Sequence, residues 1–489
     1  MAQRSFKTDE SFLQKLAIGA VGTRKVIEDL KLQKLHPIEL ERGSTGFKIW
    51  KSIKIKRVRV PDILCVKTGI RCESRAKTAL VISMSHSSAD AIRGWDYGLK
   101  DDDYTALVVC KKTGDRPIDW KAEDLVQYIR VGSLRKAFND RLVVEERPKG
   151  AEEGFESRIT WPAAIASSSG QITLLNDEKI QFKRKEDNRT ITLKLRKKGI
   201  SLKPLVTLNQ SVEKHQILAS VVDVENKIDN SESVDRKYYL NLLSSTSISD
   251  RYCAAKALSF LGAIDDPTSL QSRLNDENEH IYVRLEAAAT LARHKVKTGF
   301  DFIRKILEST YLEHRLEAVI ILGEITTNES CDILRGILAD ETQHPEIRGG
   351  AAWSLGELSN KACIPDLIRS FREINSTIRM EASRALGKMC ELYTEQILNH
   401  FAKSSEIERP GIAWALSHSE QWQLDDFLRI LDPDNLDLRQ WTAYIIGSKD
   451  QSRIIREIER LKEADSELYF AVTVLWKIMD SWIYEFNEY

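Results

Sequence analysis

Between Pro61 and Lys77 the chain reads PDILCVKTGIRCESRAK, and Asp62, Glu73, Arg75 and Lys77 within it are residue types suited to phosphoryl chemistry. Two β-forming runs flank Thr68-Gly69, which predicts a hairpin. A two-residue turn there pairs Asp62 with Arg75, whereas a four-residue loop over Val66 to Gly69 pairs Asp62 with Glu73. In both registers the four charged residues share one face, because paired residues point the same way and side chains alternate. Two neighbouring carboxylates repel unless a cation bridges them, and Mg²⁺ or Mn²⁺ favours such oxygen ligands. A nearby lysine can orient an attacking water or stabilise charge developing on a phosphate. Without any chemistry, Asp62 simply opens a strand and Glu73, Arg75 and Lys77 form a solvent-facing row of ion pairs.

The context of this segment is basic. Lys48, Lys51, Lys54, Lys56, Arg57 and Arg59 interleave with Phe47 and Trp50 in FKIWKSIKIKRVRV, the expected nucleic-acid footprint. The runs Lys183, Arg184, Lys185 and Arg196, Lys197, Lys198 either extend that surface or lie on a solvated hairpin. The 489 residues carry 73 Lys+Arg and 73 Asp+Glu, a net charge of zero. Yet residues 1–230 sum to +12 and residues 231–489 to −12. Neutrality therefore does not exclude a nucleic-acid partner; it conceals a basic part beside an acidic one. His86 reads as a loop histidine, and Cys65 and Cys72 as core thiols. A hydrophobic content of 42% excludes disorder, and no apolar run approaches the ~18 residues of a membrane span. Seven scattered cysteines without a CxxC pair suggest neither a disulfide framework nor a zinc ribbon, so a cytoplasmic setting is expected.

The elements that must position these residues form a mixed α/β core over residues 1–140. A helix over 10–32, interrupted by Gly19 and Gly22, precedes strands in PIELERG, FKIWKSIKIKRVRV, ILCVK and IRCESRAKTALVISM. A short helix at 88–99, a buried strand at 104–112 and a helix within 120–138 complete it. This helix–hairpin–helix–strand order, with Pro61-Asp62 and then Glu73-x-Arg75, resembles the PD-(D/E)xK phosphodiesterase superfamily of restriction enzymes and junction resolvases. The resemblance implies that Asp62 and Glu73 ligate the metal and that Lys77 or Arg75 fills the lysine role, with Glu28 on the first helix an additional acid. Arginine in place of lysine cannot readily act as a base. Residues 150–228 are β-rich, and Pro204 to Ala219 resembles the sandwich of biotinyl and lipoyl carriers. The carriers' modified lysine motif is absent, so a small accessory β-domain without prosthetic group is expected.

Residues 238–489 are a repeat array. Arg251, Arg284, Arg315, Arg348, Arg379, Arg409 and Arg439 recur at intervals of 30 to 33 residues. Small residues follow at +3 and +4, a large aliphatic at +7, and often glycine at +8, as in Gly323, Gly356, Gly387 and Gly447. Each unit is a helix pair that must stack to bury its stripe. The phrase R-x-x-AA-x-x-LG resembles HEAT-like repeats of the phycobilisome-lyase type, which implies an α-solenoid binding a protein partner. The arginines are expected to be structural, holding helix ends or Glu286, Glu317 and Glu381. Trp353, Trp414, Trp422 and Trp441 mark either helix packing or a binding surface. Two functions follow as expectations. One is a metal-dependent phosphodiesterase or nucleic-acid-binding module on a HEAT scaffold, suited to genome defence or repair. The other is a non-catalytic scaffold binding a protein.

Overall fold

The computed structural model describes residues 9–42, 58–87, 90–114, 119–146, 156–229, 232–264, 266–430, 432, 434–449, 454, 456, 459 and 460. Two compact units divide the chain, the first ending at Val283 and the second beginning at Arg284.

In the first unit, α1 (Asp9–Leu32) leads into β1 (Pro37–Glu39), β2 (Ile63–Cys65), β3 (Arg71–Lys77), β4 (Ile82–Ser87), β5 (Tyr104–Lys112), β6 (Trp120–Arg130) and α2 (Val131–Asn139). A five-stranded sheet runs β1-β2-β3-β5-β6, with β3 and β5 parallel and the other pairs antiparallel. The first seven residues of β5 are buried, as a strand covered on both faces requires. On one face, Val26 and Leu30 of α1 pack with Ile63, Cys72, Ala106 and Val108. Gly19 and Gly22 do not interrupt α1. A Cβ on Gly22 would collide with that of Ala76, so this glycine lets the helix lie against β3. On the other face, Leu107, Val109 and Ile129 pack with Ile82, Trp95, Leu134 and Trp161.

Within the described part of residues 88–99, helix is limited to a 3₁₀ turn at Ala91–Arg93. The helix expected within 120–138 begins at Val131, after strand β6 from Trp120 to Arg130. Pairing along β5 and burial of Val126, Tyr128 and Ile129 outweigh its helix-forming composition.

The β-rich region comprises β7 (Val144–Glu146), β8 (Glu156–Trp161), β9 (Ala163–Ile165), β10 (Gly170–Leu175), β11 (Lys179–Arg184), β12 (Thr190–Lys194), β13 (Arg196–Lys197), β14 (Ile200–Ser201), β15 (Lys203–Pro204), β16 (Ser211–Val212) and β17 (Ile217–Ser220). Its sheets run β12-β11-β10-β16 and β15-β17-β9 around Ile172, Phe182, Val212 and Leu218. It is continuous with the core rather than hung beside it. β4 pairs with β8, setting Ile82 opposite Trp161. Buried Gln127 of β6 donates to the His215 carbonyl (3.0 Å) and accepts from the Ile217 N–H (2.8 Å).

Helices α3 (Arg236–Leu242), α4 (Ile248–Ala257) and α5 (Thr268–Asn275) also lie in the first unit. The helical run continues with α6 (Ile281–Arg293), α7 (Lys297–Leu307), α8 (Leu312–Leu322), α9 (Asn328–Ala339), α10 (Pro345–Leu358), α11 (Ile364–Arg369), α12 (Ser376–Lys403, kinked at Tyr393), α13 (Arg409–Ser417), α14 (Leu424–Ile430) and α15 (Leu436–Gly447). No helix among the described residues is long and apolar enough to cross a membrane. Cys331 and Cys363 face each other from adjacent repeats with Cα atoms 7.5 Å apart, beyond the ~7 Å a relaxed disulfide spans.

Four of the recurrent arginines join one repeat to the next. In the first unit, Arg251 holds Glu279, 28 residues on, at 2.6 and 2.9 Å, and also the Ser245 carbonyl at 2.7 Å. In the second, Arg315 holds Gln343, Arg348 holds Glu373, and Arg409 holds Asp437. Arg348 and Arg409 additionally bind the Leu338 and Phe401 carbonyls. The acceptor is thus a residue before or at the start of the next unit's helix, whereas Glu381 is held by Arg384 at 2.9 Å. Two of the glycines at +8 admit the following helix: a Cβ on Gly356 would lie 2.6 Å from the Ala385 Cα, and one on Gly323 2.9 Å from the Ser354 Cβ. Gly336, by contrast, has open space where its Cβ would be. Gly356→Ala is therefore expected to destabilise the protein by roughly 1–3 kcal/mol through overpacking. Gly336→Ala, inside α9, should be neutral or stabilising by up to about 1 kcal/mol. Guanidinium unfolding of both full-length variants checks the pair; equal effects would contradict the close approach at Gly356.

Candidate functional site

The hairpin adopts the four-residue loop. Ile63 stands opposite Cys72 and Leu64 opposite Arg71, and the Cys65 N–H donates to the Ile70 carbonyl at 2.8 Å. Gly69 closes the loop in the left-handed region at φ 73°, a conformation glycine adopts without steric cost. Continued one step beyond β2, this register sets Asp62 across from Glu73. Cys72 and Ala76 of β3 face α1, so Arg71, Glu73, Arg75 and Lys77 lie on the opposite face. Their neighbours along β5 are Thr105 beside Glu73, Leu107 beside Arg75 and Val109 beside Lys77.

Each charged residue on that face has a different solution. Arg71, buried, binds Asp103 at 2.8 and 2.6 Å, Ser249 at 2.9 Å and Asp250 at 3.3 Å. Glu73 pairs with Arg75 at 3.0 Å. The Lys77 ammonium donates to the Val81 carbonyl and to the carbonyl and hydroxyl of Ser83, at 2.7–2.8 Å. Asp62 has no ion pair among the described residues; its Oδ2 accepts from the Ser74 N–H at 2.8 Å. Burial, then the Glu73 charge, push the Asp62 carboxyl well above the usual range, and Glu41 adds to this against the Ser74 hydrogen bond. Burial also raises Glu73, opposed by Arg75 and Arg59 and reinforced by Glu41 and Asp103. Burial, with the charges of Arg75 and Arg158, lowers the Lys77 ammonium to about 8.

Asp62, Glu73 and Arg75 are thus brought together. Lys77 is not: four residues along the strand from Glu73, roughly 13 Å at the usual rise, it is anchored to the β3–β4 connection. Glu28 is not either, because it is exposed on α1, which packs against the opposite sheet face. Arg59 contributes charge at Glu73 while donating to the Ile92 carbonyl at 2.7 Å. Lys48, Lys51, Lys54, Lys56 and Arg57 lie outside the described residues. His86 sits in strand β4 with its ring edge-on to Phe138. Trp422 is fully buried, consistent with helix packing.

Glu41, Asp103 and Thr105 were not legible as members. Glu41 is placed by the Leu40 N–H, which donates to the Asp62 carbonyl at 2.8 Å. Thr105 is fully buried with its hydroxyl unpartnered, and the Ser74 hydroxyl also lacks a partner. Among the described residues no three His, Cys, Asp or Glu side chains converge as a metal cage.

The helical half has recognisable relatives. Residues 270–344 match HEAT repeats and residues 347–373 match the PBS lyase HEAT-like repeat. The chain therefore combines a mixed α/β half with C-terminal HEAT-like repeats. Among solved structures, the CpcE–CpcF complex of phycocyanin lyase from Nostoc sp. is 16% identical, with a TM-score of 0.26, covering 46% of this chain and 98% of that one. The archaeal HEAT-like repeats protein from Thermococcus onnurineus is 14% identical, with a TM-score of 0.25, covering 45% and 99%. Human deoxyhypusine hydroxylase is 15% identical, with a TM-score of 0.19, covering 44% and 83%. No curated protein matches the chain.

The raised carboxyl groups give a signed pH prediction. Between the unfolded carboxyl pKa and the higher folded value, the folded state binds more protons, so stability falls as pH rises through that window. Asp62→Asn keeps an acceptor for the Ser74 N–H and removes the charge. Near neutral pH it should be more stable than wild type by on the order of 1 kcal/mol, with the difference shrinking below pH about 4. Urea unfolding across pH 4–7.5 checks this; a variant less stable than wild type throughout would contradict it.

Proposed function

We propose that the first unit is a divalent-metal-dependent nucleic-acid phosphodiesterase module carried on a protein-binding HEAT-repeat scaffold. The observation that carries this reading is Asp62, a half-buried carboxylate opposite Glu73 whose one partner among the described residues is a backbone N–H. Two carboxylates raised by burial and mutual repulsion are stabilised by a divalent cation. Asp62 and Glu73 would hold Mg²⁺ or Mn²⁺, which commonly takes one or two carboxylates and completes its shell with water and phosphate oxygens. A metal bound there supplies an acidified water and charge neutralisation at a phosphate. Arg75 pairs with Glu73 and, as an arginine, would stabilise negative charge growing on a phosphoryl group rather than remove a proton. The resemblance of residues 10–138 to PD-(D/E)xK enzymes rests on the order of residues in the sequence, and genome defence or repair is the setting it suggests by analogy. The purified full-length protein should cleave DNA or RNA with Mn²⁺, and Asp62→Ala and Glu73→Ala should each reduce cleavage to background. Undiminished cleavage by both variants would overturn the assignment.

A second reading, a scaffold without catalysis, is favoured by the second unit's exposed apolar edge. Tyr311, Ile374, Ile407 and Leu436 are 60%, 96%, 66% and 54% exposed, each at or just before a repeat helix. A ladder of this kind along a solenoid suits a protein partner. Ile374→Asp with Ile407→Asp should abolish partner capture without altering the helical circular-dichroism signal, and Asp62→Ala should leave capture intact. Retained capture by the double variant would remove the edge from the interface.

A further inference from the structure

The first unit carries a groove of about 1120 Å³ whose lining includes neither Asp62 nor Glu73. One wall is the end of β5 and the start of β6; the other is formed by β10, β11 and β16 with their flanking turns. Lys112, Lys121, Lys183, Lys185 and Lys214 line it, all exposed. None of the five has an ion-pair partner among the described residues, unlike their neighbours Lys111, paired with Glu123, and Arg184, paired with Glu186 at 2.8 Å. The carboxylates on the walls do not balance them. Glu123 is engaged by Lys111 and His215, and Asp124 by Lys25 at 3.1 Å, which leaves Glu213 against five ammonium groups.

We propose that this groove binds the phosphate backbone of a double-stranded nucleic acid. Like charges concentrated in a concave wall repel one another unless a polyanion neutralises them. Their backbones are fixed before any ligand arrives: Lys183 is paired to Gln171 and Thr190 across β10 and β12, and the Lys185 N–H donates to the Ser169 carbonyl at 3.0 Å. The groove is too extended for one phosphate, and its unpaired cations are lysines, point charges that track a backbone without reading bases. Among the described residues no aromatic ring lines it, so they offer none of the stacking platforms that hold unpaired bases. These features select a duplex backbone over a single strand. Lys112 follows Thr105 on β5 by seven residues, roughly 23 Å, so the groove stands apart from the carboxylates and binds without metal.

Fluorescence anisotropy of a labelled duplex DNA of about 20 base pairs, in EDTA with the full-length protein between about 50 and 200 mM KCl, tests this. Wild type should bind the duplex with steep salt dependence and bind the single strand of equal length more weakly. The quadruple variant Lys112→Ala, Lys183→Ala, Lys185→Ala, Lys214→Ala should lose affinity roughly tenfold or more and lower the log–log salt slope by about 3 to 4. EDTA withholds the metal on which cleavage would depend, so binding read this way separates failure of this groove from failure of the phosphodiesterase reading. Unchanged affinity and slope in a natively folded quadruple variant would overturn the proposal. So would absence of duplex binding by wild type, or binding to phosphatidylserine vesicles in place of DNA.

Discussion

Strand β3 lies third in a five-stranded sheet and yet carries Arg71, Glu73, Arg75 and Lys77 on one face. Charges on an interior strand are costly unless each finds a counter-charge or a full set of hydrogen bonds. Arg71 meets the requirement by recruiting Asp103 from the turn before β5 and Asp250 from α4. Lys100 also reaches Asp250, at 2.7 Å, so the loop, the sheet and the first repeat helices converge on one guanidinium. Lys77 meets it with carbonyls of its own connection, and Glu73 with Arg75. Among the described residues Asp62 has no ion-pair partner. The most solvent-averse charges of the unit therefore define its architecture, and the one they leave uncompensated defines its candidate site.

The repeat half solves a related problem with one side chain used periodically. A helix C-terminus leaves carbonyls unsatisfied, and a solenoid must also fix each unit against the next. One arginine does both, as Arg348 does with the Leu338 carbonyl and Glu373. The glycine eight residues later removes the side chain that would hold the next helix away. Both features act between neighbours, so the period of the sequence is also the period of the contacts.

This explains what could be read in advance. The arginine interval, the small residues at +3 and +4, and the glycine at +8 gave the helical repeats directly, because their partners lie one repeat away. The arginines hold helix-end carbonyls at Leu338 and Phe401 as expected, and the carboxylates they reach include Glu279, Glu373 and Asp437, since spacing shows that an arginine needs a partner without showing which carboxylate it reaches. The shared face of Asp62 and Glu73 followed from strand parity alone. The register did not, because Thr68-Gly69 suits both a two-residue and a four-residue turn; only the Cys65–Ile70 pairing decides. Asp103 could not be placed in advance because its partner Arg71 is 32 residues away, and Glu41 carried no local signal at all. Glu28 failed for a definite reason: Gly22 packs against Ala76, committing α1 to the other side of the sheet.

Charge sums have the same limit. The +12 of residues 1–230 pointed to an anionic partner, but a sum cannot separate cations already neutralised from those still free. Lys25, Lys111, Arg184, Lys198 and Lys203 are cancelled by Asp124, Glu123, Glu186, Glu146 and Asp223. Arg71 and Arg75 are spent inside the sheet. The free lysines of β5, β6, β11 and the turn after β16 come from segments up to about a hundred residues apart, and only the docking of the β-rich strands through Gln127 gathers them. The excess is diffuse in sequence and concentrated in space, and concentration in space is what an anionic backbone responds to.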